Sequence, residues 1–358
     1  MVQNQEFTKA VFVSQNGSPS EVLRVHEVDL GKLPETQVSI DMLVSSINHC
    51  DLLTINYNAP VPLHNRKYDL STDEATPSQK SIEATMMGTE GVGIVTKIGP
   101  KAGEAINGTL ELGDLVIPYN FGNYGLWSTR VYANPSDLVV IKNKSGIVAE
   151  DLSSIYINMS TAYRMLKDVE KMNLGDYIIQ NGANSGVGKY VIQFARILGI
   201  KSINIIRDRS DFDEVAESLK DLGADIVIRD TDLESEKTKK LLNSLTSPIR
   251  LGLNFVNGIK AVQMARFLSP ESTLLTYGVA SDEPIPVDAN MLLIQRIKFV
   301  GFSIFAFYLN NPKEVWAKTW EEIVEFIREK KIKIQESQEV ILYENSNVIS
   351  SVSSQEFR

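Results

Sequence analysis

The stretch Asn181-Gly-Ala-Asn-Ser-Gly-Val-Gly188 sets three glycines and a serine between a short apolar run and a helical pattern. Glycines at such a turn let the backbone approach a pyrophosphate, and a helix that starts there points N–H donors and a partial positive charge at it. The turn, centred on Asn184, Ser185, Gly186 and Val187, is read as a dinucleotide-binding turn, with a glycine turn kept only for packing as the other reading. A triphosphate loop fits worse, because Gly182 and Gly188 have the wrong separation and Lys189 is followed by Tyr190 instead of Ser or Thr. At the end of the next apolar run stands Arg207-Asp-Arg209. An acidic side chain there accepts from ribose hydroxyls, whereas a guanidinium binds a 2′-phosphate. Arg207 follows the run directly and Arg209 lies two residues on, so a clamp on the phosphate, and hence NADPH, is expected; Asp208 turned to the ribose would leave NADH open.

Metal chemistry has little to work with. A catalytic zinc wants about three Cys, His or acidic ligands converging on one point. The chain has one cysteine, Cys50, and three histidines, His26, His49 and His64. No metal is expected, and Glu90 is expected to make structural hydrogen bonds.

Two kinds of element must position these residues. From Lys9 to about Ile141, short apolar runs are broken by Gly, Pro and Asn: Lys9–Val13, Val22–Val25, Val38–Val44, Gly91–Val95, Leu115–Ile117 and Leu138–Ile141. That spacing predicts an all-β, barrel-like unit. Between Asn56 and Met87 the pattern stops, and the polar stretch with Pro60, Pro62 and Pro77 reads as a lid or a substrate-side insertion. After about Asn158, six apolar runs alternate with helical stretches: Tyr177–Ile179, Ile203–Ile206, Ile226–Ile228, Leu251–Val256, Thr273–Tyr277 and Ile297–Phe302. This predicts an α/β fold with a six-stranded, doubly wound parallel sheet made of two mononucleotide-binding halves. A helix with Val187, Val191, Phe194, Ala195 and Leu198 on one face is expected to stop at Gly199, and a second to run from Asp213 to Leu222 and stop at Gly223. A final amphipathic helix carries Trp316, Trp320, Ile323, Val324 and Ile327, a stripe expected to pack back on the β unit. The expected division is 1–157, completed by 308–358, for a β-rich catalytic domain and 158–307 for the dinucleotide domain.

At 358 residues, 43% apolar and 23% charged, the chain has room for two domains and no sign of disorder or a disulfide scaffold. The net charge of −9 opposes binding to nucleic acid. No apolar run of about 18 residues offers a membrane span. Met1 to Glu6 is short and polar and an alternating apolar stretch starts at about Thr8, so a cleavable presequence is not expected.

The layout, with Ser46-Ile-Asn-His-Cys-Asp51, Gly88-Thr-Glu-Gly-Val-Gly93 and Gly182–Gly188, resembles the zinc-free medium-chain dehydrogenase/reductase superfamily over nearly the whole chain. Thr89 stands where the zinc alcohol dehydrogenases of that layout have a histidine. Arg207-Asp-Arg209, Leu253-Asn-Phe-Val-Asn-Gly258 and Leu275-Thr-Tyr-Gly278 are most similar to the fungal mitochondrial 2-enoyl thioester reductases. The resemblance implies a GroES-like N-terminal domain before a Rossmann domain. It implies NADPH-dependent reduction of trans-2-enoyl thioesters of acyl carrier protein or coenzyme A in fatty acid synthesis, by a homodimer. Its catalytic acid would be Tyr57, in Ile55-Asn-Tyr-Asn-Ala-Pro60. Hydride arriving at Cβ sends charge toward the thioester carbonyl, and a phenol, protonated at neutral pH, can stabilise that oxygen or protonate Cα. The resemblance also implies that Asn158 contacts the nicotinamide side, that Tyr277, Gly278, Val279 and Ala280 line the cofactor, and that Phe302, Ser303 and Ile304 do so too. Trp127 matches a family aromatic, with core packing as its other reading.

The chain departs from the family where Ser303 replaces a tryptophan, where Val279 and Ala280 replace glycines, and at Ser354–Arg358, which does not match the family's terminal basic segment. The resemblance implies a mitochondrial matrix location; the expectation of no presequence leaves the cytoplasm as the alternative. A quinone or alkenal reductase shares the layout, and a catalytically silent NADPH-binding protein, transcription-associated in one form, is the reading from outside enzymology.

Overall fold

The structure, a computed structural model, describes residues 6–57, 62–71, 80–119 and 122–334. Two compact units divide the chain: the first runs to Ile157 and takes back Pro312–Val324, and the second comprises Asn158–Asn311 with the helix end from Glu325.

The first unit is built from nine strands among the described residues: β1 (Phe7–Val13), β2 (Arg24–Asp29), β3 (Val38–Val44), β4 (Arg66–Asp69), β5 (Ser81–Met86), β6 (Val92–Ile98), β7 (Leu115–Pro118), β8 (Arg130–Ala133) and β9 (Leu138–Val140). They form a four-stranded sheet ordered β2-β1-β5-β4 and a five-stranded sheet ordered β8-β3-β6-β7-β9. All of these pairings are antiparallel. A bridge from Val28 to Leu70 brings the last strand of the smaller sheet back to β2, so that sheet curls around Ala10, Phe12, Val28 and Ala84. Chain order and edge closure of this kind give the barrel-like unit that the broken apolar runs predict.

Three local expectations change. The run Val22–Val25 starts as a helical turn, Pro19–Val22, and the strand begins at Arg24; Pro19 presets the first helical φ and donates no N–H. The polar stretch after Asn56 contains the β4–β5 pair. Its strands escape a hydrophobicity reading because β4 is mostly exposed. Pro60, Pro77 and the middle of the expected lid fall outside the described residues. The Arg130–Ala133 strand, β8, is likewise too short for its pattern to stand out.

The second unit contains the parallel strands β10 (Tyr177–Asn181), β11 (Lys201–Ile206), β12 (Ile226–Arg229), β13 (Ile249–Asn254), β14 (Thr273–Thr276) and β15 (Lys298–Gly301). Their order is β12-β11-β10-β13-β14-β15, with the sequence reversing direction between β10 and β13. Each adjacent pair is parallel, as the six expected runs require. Successive residues of one strand serve opposite faces. Ile205 packs with Val262 and Leu268, whereas Ile206 packs with Ile192 and Leu219. Helices cover both faces, and this is why the strands read as continuous apolar runs. The helices Gly186–Ile197 and Phe212–Asp221 are followed by Gly199 and Gly223, both at positive φ, close to the stops the sequence predicts.

The last helix, Lys313–Arg328, is shared. Trp316 and Trp320 are buried in the first unit, stacked on Tyr119 and set edge-on to Tyr156 respectively. Phe326 meets Tyr163 and Phe194 of the second. The tryptophan stripe packs on the β unit as expected, and the final turns do not.

Candidate active site

In the first unit, the helix His49–Tyr57 buries Asp51, Leu52, Thr54 and Ile55. Leu52 and Ile55 enter an apolar cluster with Val11, Leu23, Met87 and Trp127. Tyr57, the last residue of that helix, is left 65% exposed. Its helix is therefore anchored by apolar burial on one side while the phenol stays open to a ligand.

The start of the same helix is held by buried polar groups. Asp51 accepts from the Asn48 amide at 2.8 Å and from the backbone and hydroxyl of Thr89 at 3.1 and 2.8 Å. Glu90 accepts from the Asn48 carboxamide at 2.8 Å and from the Ile157 amide at 3.0 Å. These are the structural hydrogen bonds expected of Glu90. Burial pushes Asp51 up to about 6 against the pull of its donors. Burial also raises Glu90 to about 8, opposed by Ile157 and Asn48 and reinforced by the charge of Asp51. Cys50 lies 3.8 Å from the Thr89 hydroxyl, its thiol pushed up by burial. Among the described residues no group of three or more His, Cys, Asp or Glu is arranged to hold a metal. Trp127 is a core residue, its indole N–H donating to Ser46 O at 3.0 Å.

In the second unit the glycine turn follows β10 directly. Gly188 has to be glycine because a Cβ there would lie 2.6 Å from the Ala183 carbonyl oxygen. Ser185 caps the helix Gly186–Ile197, accepting from Gly188 N at 3.1 Å, and the buried Gln180 donates to Gly188 O at 3.0 Å. Asn184 is exposed, and Gly186 and Val187 are half-buried. Asn158 comes to the same place: its carboxamide lies 3.3 Å from where a Cβ on Gly186 would stand. Four of the expected residues and Asn158 thus meet at one helix N-terminus.

Arg207, Asp208 and Arg209 are exposed just beyond β11. Asp208 is engaged by Arg229 and, at 3.1 Å, by the Thr231 hydroxyl; the Arg229 bond, foremost, holds its carboxyl below the usual range. Arg229 lies 3.7 Å over the ring of Phe212 and 3.2 Å from Asp213, so it is pinned from three directions. Neither Arg207 nor Arg209 has an ion-pair partner among the described residues.

Beyond β14, Tyr277 stacks on Phe255 with ring centroids 5.7 Å apart. Its hydroxyl is sealed from solvent beside Ser185 without a well-formed hydrogen bond, and burial pushes the phenol up. Ala280 N donates to Phe255 O at 3.0 Å, and Val279 is exposed. Phe302 N donates to Thr276 O at 2.9 Å. Ser303 caps the helix Ile304–Asn310 by accepting from Ala306 N at 3.4 Å, a local reason for serine at this place, and Ile304 is buried. A close glycine turn, an under-satisfied hydroxyl beside it and two exposed guanidinium groups at the end of the next strand fit a phosphorylated dinucleotide.

Sequence reasoning met Asn181, Phe255 and Asn257 only inside motifs and gave none of them a role of its own. Phe255 fills the space above Gly182, where a Cβ would come within 2.9 Å of its ring. The clue available was an asparagine followed by glycine at Asn257-Gly258, the composition of a turn that needs positive φ.

A β unit followed by a six-stranded sheet that reverses between β10 and β13, with a glycine turn at the reversal, defines a medium-chain dehydrogenase/reductase. No family model matches the chain. It is 33% identical over 93% of its length to the mitochondrial enoyl-[acyl-carrier-protein] reductase of Dictyostelium discoideum, covering 88% of that protein. It is 32% identical to the enzyme of that name from Schizosaccharomyces pombe, over 95% of this chain and 88% of that one. Among solved structures, the Etr1p complex with NADP and crotonyl-CoA aligns over 98% of this chain and 96% of its own, at a TM-score of 0.83 and 28% identity. The mitochondrial 2-enoyl thioester reductase heterodimer of Candida tropicalis aligns over 94% of this chain and 92% of its own, at a TM-score of 0.80 and 30% identity. A quinone reductase from Bacillus thuringiensis, at 21% identity and a TM-score of 0.77, shares the fold alone. The chain belongs to the mitochondrial enoyl-[acyl-carrier-protein] reductase family.

Proposed function

We propose that the protein is an NADPH-dependent reductase of trans-2-enoyl thioesters of acyl carrier protein or coenzyme A, working in fatty acid synthesis in mitochondria as a homodimer. The observation that carries this reading is the full-length likeness to proteins named for that activity and to a complex with NADP and crotonyl-CoA. The local geometry supports it. Arg207 and Arg209 are available for a 2′-phosphate while Asp208 is already bonded to Arg229 and Thr231. The glycine turn, with Asn184, Ser185, Gly186 and Val187, receives the pyrophosphate; Asn158, Tyr277 to Ala280 and Phe302 to Ile304 line the nicotinamide half.

When bound, the reduced nicotinamide supplies a hydride to Cβ of the substrate. Tyr57 donates its phenolic hydrogen to the thioester oxygen or delivers a proton to Cα. Its place at the end of an anchored helix leaves the hydroxyl accessible to a bound substrate. The mitochondrial location and the dimeric state rest on the relatives: the curated ones are named mitochondrial, and the Candida tropicalis structure is a heterodimer. Among the described residues no helix is long and apolar enough to cross a membrane.

The test is one NADPH-oxidation assay run with a series of enoyl-CoA chain lengths and, in parallel, with quinones. Turnover confined to the thioesters is expected. Turnover confined to quinones, or none on either set, contradicts the proposal.

A further inference from the structure

The reversal of strand order between β10 and β13 is where an open α/β sheet forms its ligand crevice. In this chain a run of buried carboxamides crosses that point. Asn181, at the end of β10, donates to the Asn254 side-chain oxygen at 2.9 Å. Asn181 in turn accepts from the amides of Phe255 and Val256, at 2.7 and 3.2 Å. Asn254 donates to Asn257 at 2.8 Å and to the Thr276 hydroxyl at 3.0 Å. Asn257 donates to the carbonyl oxygens of Gly278 and Ser281, both at 3.3 Å. Ser281 returns a hydrogen bond from its hydroxyl to Val256 O at 2.8 Å. The three asparagines are at most 8% exposed.

A buried amide that is fully paired fixes the groups it joins, since a buried donor or acceptor left unsatisfied loses its water without gaining a partner. Here the joined groups are the residue before the glycine turn, the end of β13 and the loop after β14. Asn257 adopts φ 70° and ψ −164°, a backbone region that residues other than glycine rarely enter, and from it the side chain serves both carbonyls. The first half of the sheet, β10 to β12, carries the arginines placed at the 2′-phosphate. The second half, β13 to β15, carries Tyr277 to Ala280.

We propose that Asn181, Asn254 and Asn257 are positioning residues: by bridging β10 to β13 and the loop after β14, they set the seat of the nicotinamide half of the cofactor without touching the adenosine half. The inference rests on the NADPH reading. It makes cofactor selectivity by halves the observable, because loosening the loop leaves the arginine end in place.

The test uses the full chain and two probes, NADPH and 2′,5′-ADP, which presents the adenosine and its 2′-phosphate without nicotinamide. Asn257→Gly removes the carboxamide while keeping φ near 70° accessible. The expected result is a rise in the NADPH dissociation constant of roughly tenfold or more, from the loss of three side-chain hydrogen bonds, two of them to the loop after β14, with 2′,5′-ADP binding changed by less than about twofold. The emission of bound NADPH should also shift toward that of the free form. Should Asn257→Gly not fold, Ser281→Ala, which deletes only the bond to Val256 O, is read with the same two probes, and the same selective loss supports the inference. Variants that lose both ligands equally, or neither, overturn it while the wild type still binds both. A wild type that binds neither probe overturns the NADPH reading together with the inference.

Discussion

The ring of Phe255 occupies the volume that a side chain at residue 278 would need: a Cβ on Gly278 would lie 2.1 Å from Phe255 Cδ2. The same ring limits Gly182 and stacks on Tyr277, so one aromatic side chain spaces the glycine turn from the loop after β14.

Gly278→Ala is therefore expected to destabilise the protein by about 1–3 kcal/mol through overpacking, and to weaken NADPH binding as Phe255 moves. Gly103→Ala is the control, since nothing lies within 4 Å of a Cβ there. Chemical denaturation of both variants checks this; equal stabilities would show that Phe255 yields freely.

Arg207→Ala and Arg209→Ala should each raise the Michaelis constant for NADPH by roughly 10- to 100-fold, the loss of one or two charge-assisted hydrogen bonds, and leave that for NADH nearly unchanged. Steady-state kinetics with both coenzymes decides it. Equal effects on the two would place the arginines away from the 2′-phosphate.

Tyr57→Phe keeps the ring and removes the proton. Turnover of enoyl thioesters should fall by roughly 10²- to 10⁴-fold, the range for a lost general acid, with NADPH affinity unchanged. Unaltered turnover would remove Tyr57 from its role.

The buried carboxyls make stability depend on pH in a stated direction. Folding raises Asp51 from 3.8 to about 6 and Glu90 from 4.5 to about 8, so between these values the folded chain holds protons that the unfolded chain has released. Their contribution is full below about pH 4 and is lost as pH rises through 6 and then 8. The melting temperature should decline from pH 6 to pH 9, and Glu90→Gln should flatten that decline. A slope that is the same in Glu90→Gln would assign it to other groups.

How much of this was written in the sequence depends on periodicity. The six parallel strands could be read because each is a short apolar run bounded by helical stretches, the inner four buried along most of their length, and the glycine turn could be placed because it follows the first of them. The β4–β5 pair could not, because strands half open to solvent carry little apolar signal. The arginines at 207 and 209 stood out by their position at a strand end, whereas the capture of Asp208 by Arg229 depends on β12 lying beside β11, which no local pattern states. Asn181, Asn254 and Asn257 stood inside quoted motifs with no role of their own; their joint role emerges only when β10 and β13 become neighbours. Tyr57 was one tyrosine of twelve until the family likeness singled it out.

The most direct test of the central claim follows the hydride. Incubating the protein with crotonyl-CoA and NADPH deuterated at the transferable position of the nicotinamide should yield butyryl-CoA with one deuterium at Cβ and a solvent-derived hydrogen at Cα, read by mass spectrometry and NMR. Recovery of unreduced crotonyl-CoA, or a saturated product without deuterium at Cβ, would contradict it.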